Sequence, residues 1–304
     1  MGKGYLAIVA AMLIWGSVGV VARKAGQDPL ITVTYRVLFG AAALIAAQLL
    51  QRAVRQGPKS ASRPKPRRGL LLFSGAALAA NWLFFFKAVD TTSVSNAVLS
   101  YYMAPVLVAL ASPLLLHEPL ERRTIAATAL SLTGIVIMLY QPGQPVRPAD
   151  LLGIGYGLAA ACFYAMVTIC GRWLQEIPAP RLVLVQCLTA ALVLVPTVLW
   201  QGAPGSPGAL AALAVPPQSL VLLALMGVVH TALALILYFQ GLRSVKVQHV
   251  GVLAYLDPVS AILFAFLFLG EIPSPASLIG GLLVLSGSAL LLRKGRAART
   301  QQVA

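Results

Sequence analysis

Charged side chains are scarce in this chain. They make up 10% of its 304 residues, whereas 59% are hydrophobic and the mean hydropathy is +0.85. No water-soluble fold of this length can bury so much apolar surface, so soluble folds are excluded. The apolar runs show helical patterning and many exceed strand length, which argues against a β-barrel. The composition therefore predicts an all-α polytopic membrane protein.

Cysteines are few, and motifs for catalysis are missing. Cys162, Cys170 and Cys187 all lie inside apolar runs, so they predict neither a disulfide framework nor a metal site. His117 and Glu118 lack the second histidine of the zinc-protease helix motif, and no nucleophile elbow or phosphate loop occurs. We expect no enzyme activity, no catalytic residue, no metal and no cofactor. An intramembrane enzyme and a channel remain the less favoured alternatives.

Long apolar runs are what the chain has instead. Crossing the ~30 Å hydrocarbon layer takes about 20 helical residues. Ten runs are long enough, at residues 4–22, 30–50, 69–87, 93–116, 121–140, 150–172, 178–200, 218–241, 247–270 and 275–292. The short loops between them leave no room for a separate soluble domain. The sequence predicts one bundle of ten transmembrane helices.

The second half of the chain repeats the first. Pairs 153 residues apart include Phe86 with Phe239, Tyr102 with Tyr255, Pro105 with Pro258 and Glu118 with Glu271, and pairs 149 apart include Trp15 with Tyr164 and Arg23 with Arg172. Each half holds five spans, and an odd number of crossings inserts the second half upside down relative to the first. Such inverted repeats are typical of secondary transporters. We predict a five-helix repeat over residues 1–145, a second over 146–295, and a basic tail at 296–304.

Positive charge is concentrated on one side of the predicted bundle. If the N-terminus is cytoplasmic, 18 Lys and Arg residues fall inside, seven of them within residues 51–68, and four fall outside. The positive-inside rule then predicts that both termini are cytoplasmic, in a bacterial inner membrane. The net charge of +15 thus reflects topology and not nucleic-acid binding. The basic loop is also able to contact anionic lipid headgroups, and either a monomer or a homodimer is compatible with the sequence.

Two prolines occupy equivalent places in the two halves. Pro105 and Pro258 lie near the middle of the fourth and ninth spans. Each removes a backbone hydrogen bond and is expected to kink its helix. Bent helices at matched positions indicate a transport site; a kink that simply packs against its neighbours is the alternative.

Several short motifs resemble a known family. They are Leu13–Ser17 followed by Arg23, Lys24, Pro29 and Arg36, the blocks Tyr102–Val106 and Tyr255–Val259 followed by Glu118 and Glu271, and the stretch 280–287. These motifs resemble EamA-type members of the drug/metabolite transporter superfamily, although His117 stands where that family often has glycine. The resemblance implies a ten-helix carrier with inverted repeats. It also implies a substrate among amino acids and amino-acid-derived compounds (including opine-type metallophores), nucleobases or toxic cations, which many members move outward.

Polar side chains within predicted spans are costly to bury and usually line a pathway. Asp257 and His230 lie about 12 or 13 residues from the outer ends of adjacent spans, hence near the bilayer midplane. Asp257 is expected to hold a substrate amino group, to carry the coupling proton, or to make a structural hydrogen bond; His230 is expected to exchange protons or to pack. Arg36 is expected to neutralise Asp257, cap a free carbonyl, bind a substrate carboxylate or snorkel outward.

Aromatic and amide groups share this depth. They are Trp15, Asn81, Trp82, Tyr101, Tyr102, Tyr164 and Tyr255. Aromatic faces stack on apolar groups and attract cations, and an amide both donates and accepts hydrogen bonds. Glu118 and Glu271 fall at opposite membrane edges and are expected to be structural or gating. We expect export of a small zwitterionic or cationic metabolite by proton antiport with alternating access; uptake or uncoupled facilitated diffusion is the alternative.

Overall fold

A computed structural model describes residues 2–54, 67–139, 148–201 and 214–292. Ten helices in these segments are long and apolar enough to cross a membrane. They are α1 Lys3–Ala25, α2 Pro29–Gln51, α3 Arg68–Thr91, α4 Val94–Leu116, α5 Arg122–Leu139, α6 Asp150–Trp173, α7 Ala179–Trp200, α8 Pro217–Leu242, α9 Val247–Leu269 and α10 Pro275–Leu292. The predicted all-α fold, with ten spans in two inverted five-helix repeats, is confirmed.

The ends of the helices differ from the prediction by up to four residues. Helix α1 was expected to end at residue 22, but it continues through Arg23 and Lys24 to Ala25. Polar residues remain helical beyond the hydrocarbon layer, and a hydropathy pattern does not detect them. The helix ends where Gly26 adopts a left-handed conformation (φ 62°), which glycine reaches at little steric cost.

Helices α4 and α9 are broken near their middles. The first consists of Val94–Tyr101 and Ala104–Leu116, and the second of Val247–Ala254 and Leu256–Leu269. Pro105 and Pro258 therefore lie in the first turn after each break. The first-turn N–H groups of a helix have no partner within the helix, so a proline is tolerated there. The structure thus contains an interruption of two residues in α4 and of one residue, Tyr255, in α9, each a few residues before the proline that was expected to cause a kink.

Two further helices are irregular at the same level. Helix α1 divides at Ser17 into Lys3–Gly16 and Val18–Ala25, and α8 contains a π-helical segment, Met226–Leu233. Such π-helical segments are uncommon and are frequent at functional sites.

Close packing of small residues holds α5 against α10. A Cβ atom placed on Gly134 would lie 3.0 Å from a methyl group of Val284, and one on Gly280 would meet the carbonyl oxygen of Gly134. Small residues let helix backbones approach closely in a membrane, where dispersion contacts drive association.

The two ends of the bundle differ in their charge. The basic end contains the connections 117–121, 174–178 and 243–246 together with the start of α1 and the end of α10. The opposite end contains the connections 26–28, 92–93 and 270–274. That the basic end faces the cytoplasm stays a prediction from the distribution of positive charge.

Candidate functional site

A cavity of about 300 Å³ lies at the level of the helix breaks. Residues from seven helices line it, namely α1, α2, α3, α4, α6, α8 and α9. Among its lining residues are Trp15, Arg36, Asn81, Trp82, Tyr101, Tyr102, Pro105, Tyr164, His230 and Asp257. Nine of the ten residues that the sequence indicated for substrate binding or coupling are thus brought together. Pro258, Glu118 and Glu271 are not among the lining residues.

Equivalent positions of the two repeats line this cavity together. The lining pairs are Trp15 with Tyr164, Val18 with Val167, Leu78 with Thr231, Trp82 with Leu235, Phe85 with Tyr238, Tyr101 with Ala254, and Ala104 with Asp257. The pseudo-twofold axis that relates the repeats therefore passes through the cavity. Its chemistry is nevertheless asymmetric, because Asp257 stands where the other repeat has Ala104.

The π-helical segment of α8 positions Arg36. The Arg36 Nε donates to Thr231 Oγ1 at 3.2 Å, and Nη2 lies 3.5 Å from the carbonyl oxygen of His230. The same carbonyl accepts from the indole N–H of Trp15 at 2.9 Å. The guanidinium carbon also lies 6.0 Å from the ring centroid of Trp82, within range of a cation–π interaction. Arg36 therefore lies beside a carbonyl in a helix irregularity.

Asp257 faces the cavity without a direct partner. Within the described segments, no hydrogen bond and no ion pair shorter than 4.0 Å involves its carboxylate, although it interacts electrostatically with Arg36. Asp257 lies in the first turn of Leu256–Leu269, where the partial positive charge of the helix N-terminus favours an anion. The cavity thus holds a carboxylate and a guanidinium that form no direct ion pair with each other.

His230 is buried, with 3% of its surface exposed. Its Nε2 lies 2.9 Å from Ser17 Oγ, and that hydroxyl donates its proton to the carbonyl oxygen of Ile14 at 2.8 Å. Since a hydroxyl has a single proton, His230 Nε2 must be the donor to Ser17. The Nδ1 atom has no hydrogen-bond partner among the described residues.

Aromatic rings form a continuous wall of the cavity. Ring centroids are 5.4 Å apart for Trp15 and Tyr238, 6.4 Å for Tyr238 and Tyr164, 6.0 Å for Tyr164 and Tyr101, and 5.8 Å for Tyr101 and Tyr102. Asn81 fixes α3 to α6, since its Nδ2 donates to the carbonyl oxygen of Ala160 at 2.8 Å. The wall offers apolar and π surface beside the two charged groups.

Tyr255 lies outside the cavity lining. It is fully buried and packs with Ile135 and Val284. Its hydroxyl donates to the carbonyl oxygen of Tyr102 at 3.1 Å, at the break in α4. Tyr255 therefore supports the interrupted helix α4 through its hydroxyl. Its ring points towards α5 and α10 and not into the cavity.

Three polar residues of the cavity lining were not predicted from the sequence, namely Thr168, Thr231 and Tyr238. Tyr238 hydrogen-bonds Thr168 at 2.7 Å, and Thr231 holds Arg36. The repeat alone could have found Tyr238, since it is equivalent to Phe85 in the aromatic run of the third span. Thr231 gave no such indication, because its equivalent, Leu78, is apolar.

Matched ion pairs connect the repeats at the two ends of the bundle. Arg172 Nη2 lies 3.2 Å from Glu118 Oε1 at the basic end, and Arg23 pairs with Glu271 at the opposite end. The two pairs are equivalent in the repeat. The first is largely buried, with side chains 24% and 13% exposed, whereas those of the second are 65% and 49% exposed.

Comparisons with known proteins agree on one family. A model of the EamA-like transporter family matches residues 2–140 and again residues 151–293. An uncharacterized transporter of Archaeoglobus fulgidus is 29% identical over 297 residues, which are 97% of this chain and 98% of the relative. The threonine/homoserine exporter RhtA of Escherichia coli (strain K12) is 28% identical over 233 residues, or 76% of this chain and 74% of RhtA.

Two further matches cover nearly the full length. Protein RarD of Salmonella typhimurium is 26% identical over 278 residues, covering 91% of this chain and 90% of RarD. A solved crystal structure with 21% identity superposes with a TM-score of 0.80 over 96% of this chain and 98% of the other, which shows a shared fold. Because the family model matches once per repeat and spans both, the chain belongs to the EamA-like transporter family of the drug/metabolite transporter superfamily and is a multi-pass membrane transporter.

Proposed function

We propose that the protein exports a small zwitterionic metabolite, an amino acid or a compound derived from one, across a bacterial inner membrane with both termini cytoplasmic. Export is coupled to proton antiport and proceeds by alternating access. The observation that carries this proposal is the placement of Asp257 and Arg36 in one cavity without a direct ion pair between them. A ligand with an ammonium and a carboxylate group satisfies both side chains at once.

Asp257 is suited to bind the ammonium group. Its carboxylate faces the cavity and has no competing hydrogen-bond donor among the described residues. A buried carboxylate is costly unless it is paired or protonated. The empty carrier therefore holds a proton on Asp257, and the arriving ammonium group displaces it, so that proton and substrate alternate at one site.

Arg36 is suited to bind the carboxylate group. Two of its five N–H donors are directed at Thr231 and the His230 carbonyl, so the guanidinium is held in place while other donors remain for a ligand. A guanidinium binds carboxylates through two parallel hydrogen bonds. The rest of the substrate contacts the aromatic wall, and a volume of about 300 Å³ restricts the site to small molecules.

Alternating access follows from the inverted repeats. Rocking of one five-helix unit against the other opens one end of the bundle as it closes the other. The equivalent pairs Arg172–Glu118 and Arg23–Glu271 lie where such closure takes place and are both formed in this structure, so each is proposed to break when its own end opens. The exporter name of RhtA supports outward transport of an amino acid. Uptake or uncoupled facilitated diffusion remains the alternative.

The test is counterflow in proteoliposomes loaded with each of the 20 unlabelled amino acids in turn and supplied with the same labelled compound. The proposal expects transient accumulation of at least one amino acid, and its saturation with concentration. A channel gives flux without counterflow, and an enzyme changes the compound chemically; either result overturns the proposal. Metabolite profiling of cells with and without the gene, inside and outside, then gives the direction.

A further inference from the structure

Four side chains form a connected cluster at the basic end. Glu121 pairs with the Lys246 ammonium, and its Oε2 lies 3.2 Å from Nε2 of His249. The Nδ1 atom of His249 lies 2.7 Å from the hydroxyl oxygen of Tyr5. This basic-end cluster, Tyr5, Glu121, Lys246 and His249, joins α1 to α9 and to the connection before α5. None of the four is among the residues that line the cavity.

The opposite end has no equivalent of this cluster. Shifts of 153 and 149 residues place Ser274 at the position of Glu121, Ser93 at that of Lys246, Asn96 at that of His249 and Ile154 at that of Tyr5. The Arg–Glu pairs, by contrast, occur at both ends. The basic-end cluster therefore places titratable side chains at one end of the bundle, at positions whose equivalents in the other repeat are not titratable.

The proton positions within the cluster follow from its geometry. The hydrogen bond from Lys246 lowers the pKa of Glu121, against the opposing effect of desolvation, so this carboxylate is ionised near neutral pH and only accepts hydrogen bonds. Nε2 of His249 must then donate to Glu121. In a neutral ring Nδ1 is an acceptor, and the Tyr5 hydroxyl donates to it. A neutral His249 thus satisfies both contacts without adding a charge.

We propose that His249 is a proton-binding site of this carrier, and that its neutral form holds the basic end closed. A proton on Nδ1 turns this acceptor into a donor, so the Tyr5 hydroxyl can no longer donate to it and must rotate to accept instead. It also places a positive charge beside Lys246, on a side chain that is 10% exposed. The imidazolium keeps its contact with Glu121 through Nε2, and it regains hydration at Nδ1 when Tyr5 and the start of α1 move away, so proton uptake favours opening of the basic end.

The charged groups around His249 are consistent with this direction. Besides Tyr5, Glu121 and Lys246, Glu118 lies close to the start of α9, where it accepts from the N–H of Val247 at 2.9 Å. Glu118 is already neutralised by Arg172 of α6. The spans of α10 and of Ala104–Leu116 contribute no titratable side chain, whereas α5 begins with the exposed Arg122 and Arg123. A protonated His249 therefore has one carboxylate beside it, that of Glu121, which already forms an ion pair with Lys246.

The experiment measures opening directly and needs no substrate. Nitroxide labels replace exposed Lys3 and Arg122, on either side of the cluster, in the full chain in nanodiscs with its cysteines changed to serine. Electron–electron distances are compared at pH 8 and pH 5.5, a range in which the lowered pKa of Glu121 keeps that group ionised. The proposal expects a longer distance population that grows as the pH falls.

Two variants identify the titrating group. The amide of His249→Gln donates to Glu121 and accepts from Tyr5 but does not titrate, so the short distance should persist at both pH values. Tyr5→Phe removes the donor to Nδ1, and the midpoint of opening should rise by about 0.5–1 pH unit. His117→Asn, at the same end and outside the cluster, is the matched control and should open as the wild type does.

Three results overturn the proposal: a wild-type distance that ignores pH, a shift towards shorter distances in acid, or a His249→Gln variant that responds like the wild type. The proposal rests on the alternating-access function, but the two fail separately. If counterflow finds no amino acid and the pH response still depends on His249, the proton site stands and the amino-acid assignment falls. If counterflow succeeds and the pH response is absent, the reverse holds.

Discussion

Arg36 donates a hydrogen bond from Nε to the hydroxyl oxygen of Thr231, 3.2 Å away across the interface of α2 with the π-helical part of α8. This contact fixes the one arginine among the cavity-lining residues. A guanidinium that is already oriented loses less conformational freedom when it binds a carboxylate. Thr231 is therefore expected to act on substrate binding through Arg36.

Replacing Thr231 with valine tests this relationship. Valine keeps the shape and removes the hydroxyl, so the half-saturation concentration for a zwitterionic substrate should rise roughly 3- to 10-fold, the effect of about one hydrogen bond. Transport of the decarboxylated analogue should not change. The matched control is Thr133→Val, which removes the hydroxyl of an exposed threonine on α5. Equal losses for both substrates would assign Thr231 a packing role only.

Asp257 is expected to be essential for coupling. Asp257→Asn keeps the size of the side chain and removes the exchangeable charge, so a pH gradient across proteoliposomes should no longer drive accumulation. Asp90→Asn, at an exposed position near the opposite end, is the matched control and should retain it. Gradient-driven accumulation by the Asp257 variant would contradict the assigned role. Its helical content and thermal stability should stay close to the wild type, which separates coupling from folding.

The equivalent ion pairs at the two ends should differ in their contribution to stability. Arg172 pairs with Glu118 in partial burial and also donates to the carbonyl oxygen of Leu242 at 2.8 Å. Arg172→Gln should lower the midpoint of thermal unfolding by several degrees, because a partly buried carboxylate loses its counter-ion. Arg23→Gln removes an exposed pair, which typically contributes 0–1 kcal/mol, so its midpoint should change little. Thermal scans of both variants in one detergent compare them; equal losses would contradict this difference.

Much of the fold could be predicted from the composition and the hydrophobic periodicity of the sequence. The ten spans follow from apolar runs, the inversion follows from the odd number of spans in each half, and Asp257 stands out because a carboxylate in a span is costly. The details that depend on packing between distant helices could not be predicted from the sequence. The π-helical segment around Thr231 has no sequence signature, and the contact of Tyr5 with His249 joins residues 244 positions apart. Tyr255 shows the same limit, since its depth was predicted but the side to which it points was not.

Glycines on α10 offer a test of the packing that holds the second repeat against the first. A Cβ atom on Gly280 would meet the carbonyl oxygen of Gly134 and lie 3.1 Å from the backbone nitrogen of Met138, so Gly280→Ala must push α5 and α10 apart. We expect a loss of about 1–3 kcal/mol in stability. At the neighbouring Gly281 the nearest atom to a new Cβ is a methyl carbon of Val259 at 3.8 Å, an ordinary contact. Gly281→Ala is therefore the matched control and should be neutral or slightly stabilising, since alanine favours a helix more than glycine does. Thermal unfolding of the two variants in the same detergent decides the matter, and equal midpoints would contradict the close approach of α5 and α10.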